Sequence, residues 1–118
     1  MRQRMAWPKK NSRAVVVDGE RFLWHISGNR IDGKETLIAV GKAEQKYMLF
    51  IDPYPWDFEI APSNITKALR WALVHGWNAA AGPTKYMAFS RRENTFVWLP
   101  DGIRFLHELN NAQSSYRE

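Results

Sequence analysis

Asp57 and Glu59 stand two residues apart in the stretch Pro53-Tyr54-Pro55-Trp56-Asp57-Phe58-Glu59. An extended backbone there sends both carboxylates to the same side. Two carboxylates on one side are a minimum for general acid–base chemistry. A solvated acidic loop accounts for the same residues, and nothing else in the stretch completes an active site. The three histidines, His25, His75 and His107, lie far apart and lack ligand spacings such as HExxH. Cysteine is absent, which removes thiol nucleophiles, disulfides and thiolate metal sites together. Ser27, Ser63 and Ser90 have no G-x-S-x-G setting, and Gly28 and Gly33 belong to a turn with no phosphate-binding helix behind it. No catalytic residue, metal or cofactor is assigned on this reading, which leans away from an enzyme.

Recognition is the better use of that same stretch. Tyr54, Trp56 and Phe58 recur at alternate positions, and Pro53 and Pro55 stiffen the backbone between them. Rigid aromatics beside Asp52, Asp57 and Glu59 suit a protein-binding surface. They suit equally a lid folded over the edge of a core. The candidate partner surface is therefore Tyr54, Trp56, Asp57, Phe58 and Glu59.

The net charge of +5 suggests nucleic acid until it is located along the chain. Residues 1–17 contain Arg2, Arg4, Lys9, Lys10 and Arg13 and no acid. The remaining 12 basic residues are matched by all 12 acidic ones. The excess sits in an N-terminal arm, residues 1–12, and at the start of a single domain, residues 13–118. Such an arm could touch phosphates without sequence preference, which is the alternative function. Solvated tails commonly have this composition too. No apolar run approaches the ~20 residues that span a bilayer. The basic N-terminus lacks an apolar stretch of signal-peptide type, so a cytoplasmic protein without membrane partners is expected.

The elements that would position these residues read mainly as strands. Val15, Val16 and Val17 form a β-branched run, and Asp18-Gly19 is a hairpin-turn dipeptide. Glu20 to Ser27 then alternates, with Phe22, Trp24 and Ile26 on one face and Arg21, Leu23 and His25 on the other. Further strands are expected over Thr36–Lys42 and Lys46–Asp52, giving a four-stranded antiparallel meander. A second hairpin, Tyr86–Ser90 with Thr95–Leu99, turns at Arg91-Arg92-Glu93-Asn94. Ile103, Leu106 and Leu109 fit a short final helix, with a strand over 103–109 as the alternative.

Between meander and hairpin lies the one long helical period. Ile65, Ala68, Leu69, Ala72, Leu73 and Gly76 share a face. Either Ala61 caps with Pro62 as first residue, or Ser63 caps through its hydroxyl. Gly76 closes the helix, and Trp77 beyond it can fold back as the apolar contact of such an ending. The run I-x-P-x-x-I-x-x-A-L-x-x-A-L-x-x-G-W from Ile60 to Trp77 resembles a helix of small uncharacterised bacterial α+β proteins, some carried on mobile gene cassettes such as integrons. The resemblance implies a meander, a helix and a further hairpin, and no activity.

The expected fold is thus α+β, a curved antiparallel sheet of about six strands on one main helix. Width makes the curvature necessary. Six strands ~4.8 Å apart span roughly 25–29 Å, whereas a helix is about 10–12 Å wide. Either the sheet bends around the helix or a second copy covers the remainder, so a homodimer is expected as the principal partner. A non-enzymatic binding protein is the function that follows.

Overall fold

Two residues set the first hairpin. Asp18 and Gly19 both take positive φ, 53° and 84°, the conformation that matches a two-residue turn to the twist of its strands. They join β1 (Arg13–Val17) to β2 (Glu20–Ser27), with Val17 opposite Glu20 and Arg13 opposite Trp24. The computed structural model describes residues 12–27, 36–53 and 61–109. β3 (Leu37–Gly41) and β4 (Leu49–Asp52) complete the meander, each antiparallel to its predecessor.

β4 starts three residues later than its sequence suggests, because another segment takes the backbone of residues 47 and 48. The Tyr47 N–H donates to the Ala79 carbonyl at 3.3 Å and the Met48 N–H to Thr84 Oγ1 at 3.0 Å. The Met48 carbonyl accepts from the Lys85 N–H at 3.0 Å and the Trp77 indole at 3.1 Å.

Helix α1 (Pro62–Val74) follows the proline signal. Ala61 is the N-cap with Pro62 inside the first turn, and no side chain caps the end. At the other end His75 is the C-cap and Gly76 takes φ 109°. The Trp77 N–H then reaches back to the Ala72 carbonyl at 2.9 Å, the long bond of a Schellman ending. Trp77 does fold inward, 2% exposed, against Phe22 with ring centroids 6.2 Å apart.

Helix α1 carries the chain back along the sheet, so β5 (Lys85–Ser90) lies beside β4 in parallel. This corrects the wholly antiparallel expectation at one pair: a helix-length crossover returns the next strand to the same end. β6 (Thr95–Trp98) pairs antiparallel with β5, through a turn in which Asn94 takes φ 57°. The strand order is β1-β2-β3-β4-β5-β6, an open sheet with β1 and β6 at its described edges. A single helical turn at 106–109 realises the helical reading of the C-terminal stretch.

The sheet is curved around α1. Arg70 Nε lies 3.8 Å from Asp18 Oδ1 at the β1 edge. The next residue, Trp71, sits 4.9 Å from Trp98 and 6.0 Å from Phe96 on β6. In a flat sheet those strands would stand about 24 Å apart, too far for one helix to hold both. Ile65, Ala68, Leu69 and Ala72 fill the concavity against Phe22, Ile38, Leu49, Ile51 and Met87.

The outer face is occupied as well. Asp52 alternates with the core residue Ile51 and so points outward, yet it is 0% exposed. Its Oδ2 accepts the Leu106 N–H at 2.8 Å, and Leu99 and Phe105 are buried nearby in the chain. The C-terminal segment therefore folds onto the outer face at Asp52.

Gly82 makes a specific demand. Its φ is +69°, and a methyl group built there would lie inside the Tyr47 ring. Gly82→Ala is expected to lower stability by about 1–3 kcal/mol, through overpacking and a left-handed backbone without glycine. Urea unfolding measures this; an unchanged midpoint would mean that the ring and the loop do not meet in solution.

Candidate functional site

The aromatic loop residues Tyr54, Trp56, Asp57, Phe58 and Glu59 lie outside the described residues, as do Arg2, Arg4, Lys9 and Lys10. Two residues bordering these stretches are described, and both are engaged in the fold. Asp52, expected to flank a recognition surface, is a buried carboxylate holding the C-terminal segment. Arg13 opens β1, with its guanidinium 5.8 Å over the Trp24 ring.

The histidines stay apart. His25 faces outward from β2, half-buried, and burial pulls its pKa below the usual 6.5. His75 stacks on Trp71 with centroids 4.2 Å apart, and its Nδ1 lies 2.8 Å from the Trp71 carbonyl. His107 stacks on Phe105 at 5.5 Å. Among the described residues no three His, Asp or Glu side chains cluster in a way that could hold a metal.

Sequence reasoning missed an aromatic ladder beside α1. Lys85 Nζ sits 4.7 Å from the Trp98 ring centroid, Trp98 packs on Trp71, and Trp71 on His75. The Trp98 indole also donates to the His75 carbonyl at 3.3 Å. These rings occupy one another's faces, so the ladder ties the end of α1 to β6. Nothing local announces it, because Trp71 and Trp98 meet only through the parallel crossover.

A cleft of about 380 Å³ opens at the sheet end nearest the Asp18-Gly19 turn. Its floor is apolar: Phe22, Trp77 and Ala79 are buried there, and Leu73 forms a wall. Its rim is polar, with Glu20, Lys42, Gln45 and Asn78. Lys42 Nζ lies 3.5 Å from Glu20 Oε1 and 5.3 Å from the Phe22 ring centroid. Gln45 returns its N–H to the Lys42 carbonyl at 3.0 Å, a tight turn that presents both side chains to the cleft. These residues come from β2, the β3–β4 connection and the end of α1, so no sequence motif unites them.

The second open feature is β1. The pair flanking a two-residue turn is hydrogen-bonded. Val17, Val15 and Arg13 therefore bond to β2, and the backbone groups of Ala14 and Val16 point out of the sheet edge. Val16 is 61% exposed. The strand carries no proline and no inward charge, two usual protections of an edge.

Among the described residues no helix is long and apolar enough to cross a membrane. Compared with known proteins, the chain matches no family model, no curated protein and no solved structure.

Proposed function

We propose that this chain is a non-enzymatic binding protein that works as a homodimer joined through β1. The observation that carries the reading is an edge strand of β-branched residues with Val16 61% exposed. Outward N–H and C=O groups at Ala14 and Val16 match the spacing another strand supplies, so pairing would satisfy them in two-fold fashion. Charge selects the orientation. β1 begins at Arg13 and ends against Asp18, and both lie on the helix side, over Trp24 and beside Arg70. An antiparallel partner brings each Arg13 toward the opposing Asp18; a parallel one would align like charges. The product is one continuous sheet across two copies, each still wrapped around its own helix.

Val16→Lys puts a charge on the exposed position without touching the core. It is expected to convert a dimer to a monomer in light scattering and to leave the thermal transition of the fold intact. A variant that keeps the wild-type mass would remove β1 from the interface.

A further inference from the structure

We propose that the cleft between β2 and the end of α1 binds a free apolar α-amino acid in its zwitterionic form. Its size, about 380 Å³, lies at the small end of small-molecule sites, which run from about 300 to 1,000 Å³. The chemistry of its walls narrows the ligand further. The floor offers no polar group to a ligand, because the Trp77 indole N–H is committed to the Met48 carbonyl at 3.1 Å. Phe22, Leu73 and Trp77 therefore call for an apolar side chain.

The rim is split in charge. Lys42 and Glu20 face each other at 3.5 Å, a long pair with the Glu20 side chain 59% exposed. A pair of that kind contributes little to the fold. Its two ends can be exchanged for the two ends of a zwitterion inside a recess less polar than water. Lys42 would take the carboxylate and Glu20 the ammonium. Asn78 strengthens the carboxylate end. Its Oδ1 is held by the N–H groups of Ala80 at 2.7 Å and Ala81 at 3.1 Å. That fixes the amide so that its NH2 remains as a donor. A simple carboxylate would face Glu20 unneutralised, and a simple amine would face Lys42. Only a ligand carrying both charges next to an apolar body uses every group. This proposal does not depend on dimerisation, and the Val16→Lys protein can be titrated beside the wild type.

The test is a titration followed by 15N-labelled amide and indole NMR signals with three probes: L-phenylalanine, 3-phenylpropionate and phenethylamine. L-phenylalanine is expected to shift the Trp77 indole, Lys42 and Asn78 signals, binding at least about tenfold more tightly than either analogue. Lys42→Met should abolish the preference over phenethylamine, and Glu20→Gln the preference over 3-phenylpropionate. Both residues sit on the rim, and an unchanged thermal transition checks that each variant folds. Equal affinity for the three probes, shifts confined to other residues, or no shift at millimolar probe would each overturn the assignment.

Discussion

Trp77→Ala is expected to cost about 3–5 kcal/mol of stability, the range for emptying a large buried aromatic site. Trp77 serves three structures at once. Its ring lies against Phe22 at 6.2 Å and its indole N–H donates to Met48 at 3.1 Å. Its backbone N–H closes α1 on the Ala72 carbonyl at 2.9 Å. Alanine keeps only the last. Trp77→Phe separates the other two, retaining most of the ring while deleting the indole donor. The Met48 carbonyl keeps its bond from Lys85 at 3.0 Å, so the Phe variant should lose only about 1 kcal/mol. Urea or guanidinium unfolding of both variants reads the difference. Near-equal losses would mean that the hydrogen bond, and not the packing, fixes this corner.

Asp52→Ala should be the second large effect, about 1.5–3 kcal/mol for a hydrogen bond to a charged group. A carboxylate at 0% exposure has been taken out of water, and what it receives includes the Leu106 N–H at 2.8 Å. Removing it leaves that buried donor facing a methyl group. The loss should be local before it is global: the 106–109 turn should loosen, with fast exchange of the Leu106 amide, while the β2–β3 ladder stays protected. Asp52→Asn keeps an acceptor oxygen and should fall between wild type and Ala. Uniform loss of protection across the sheet would show that Asp52 holds the core itself.

How far the sequence reveals this structure depends on the range of each interaction. Asp18-Gly19 specifies its turn with two backbone conformations, and the alternation of Phe22, Trp24 and Ile26 specifies which face of β2 is buried. Pro62 and Gly76 mark the helix ends through their own φ preferences. These are local effects, and they are legible. The N-cap was legible only as two alternatives, since Ser63 has the better cap chemistry and Pro62 the better first-turn geometry. Proline prevailed.

What escaped depends on the path of the chain in space. The parallel β4–β5 pair follows from the length of the crossover helix and from nothing in either strand. The late start of β4 follows from a loop 29 or more residues away, whose Trp77 and Thr84 take over Met48. The cleft needs Glu20, Lys42 and Asn78 brought to one rim, and none of them sits in a recognisable motif. The strongest sequence candidates, Tyr54, Trp56 and Phe58, lie outside the described residues, so the functional reading now rests on β1 and the cleft.

The central claim is that two copies pair along β1. Hydrogen exchange at the outward amides of Ala14 and Val16, followed over a dilution series, tests it most directly. The account predicts protection at high protein concentration that disappears on dilution and is absent from Val16→Lys. The amides of Val15 and Val17, bonded within the hairpin, should stay protected throughout. Fast exchange at Ala14 and Val16 at every concentration would contradict the account by leaving the edge open. Protection independent of concentration would contradict it too, by showing that the edge is paired within one chain.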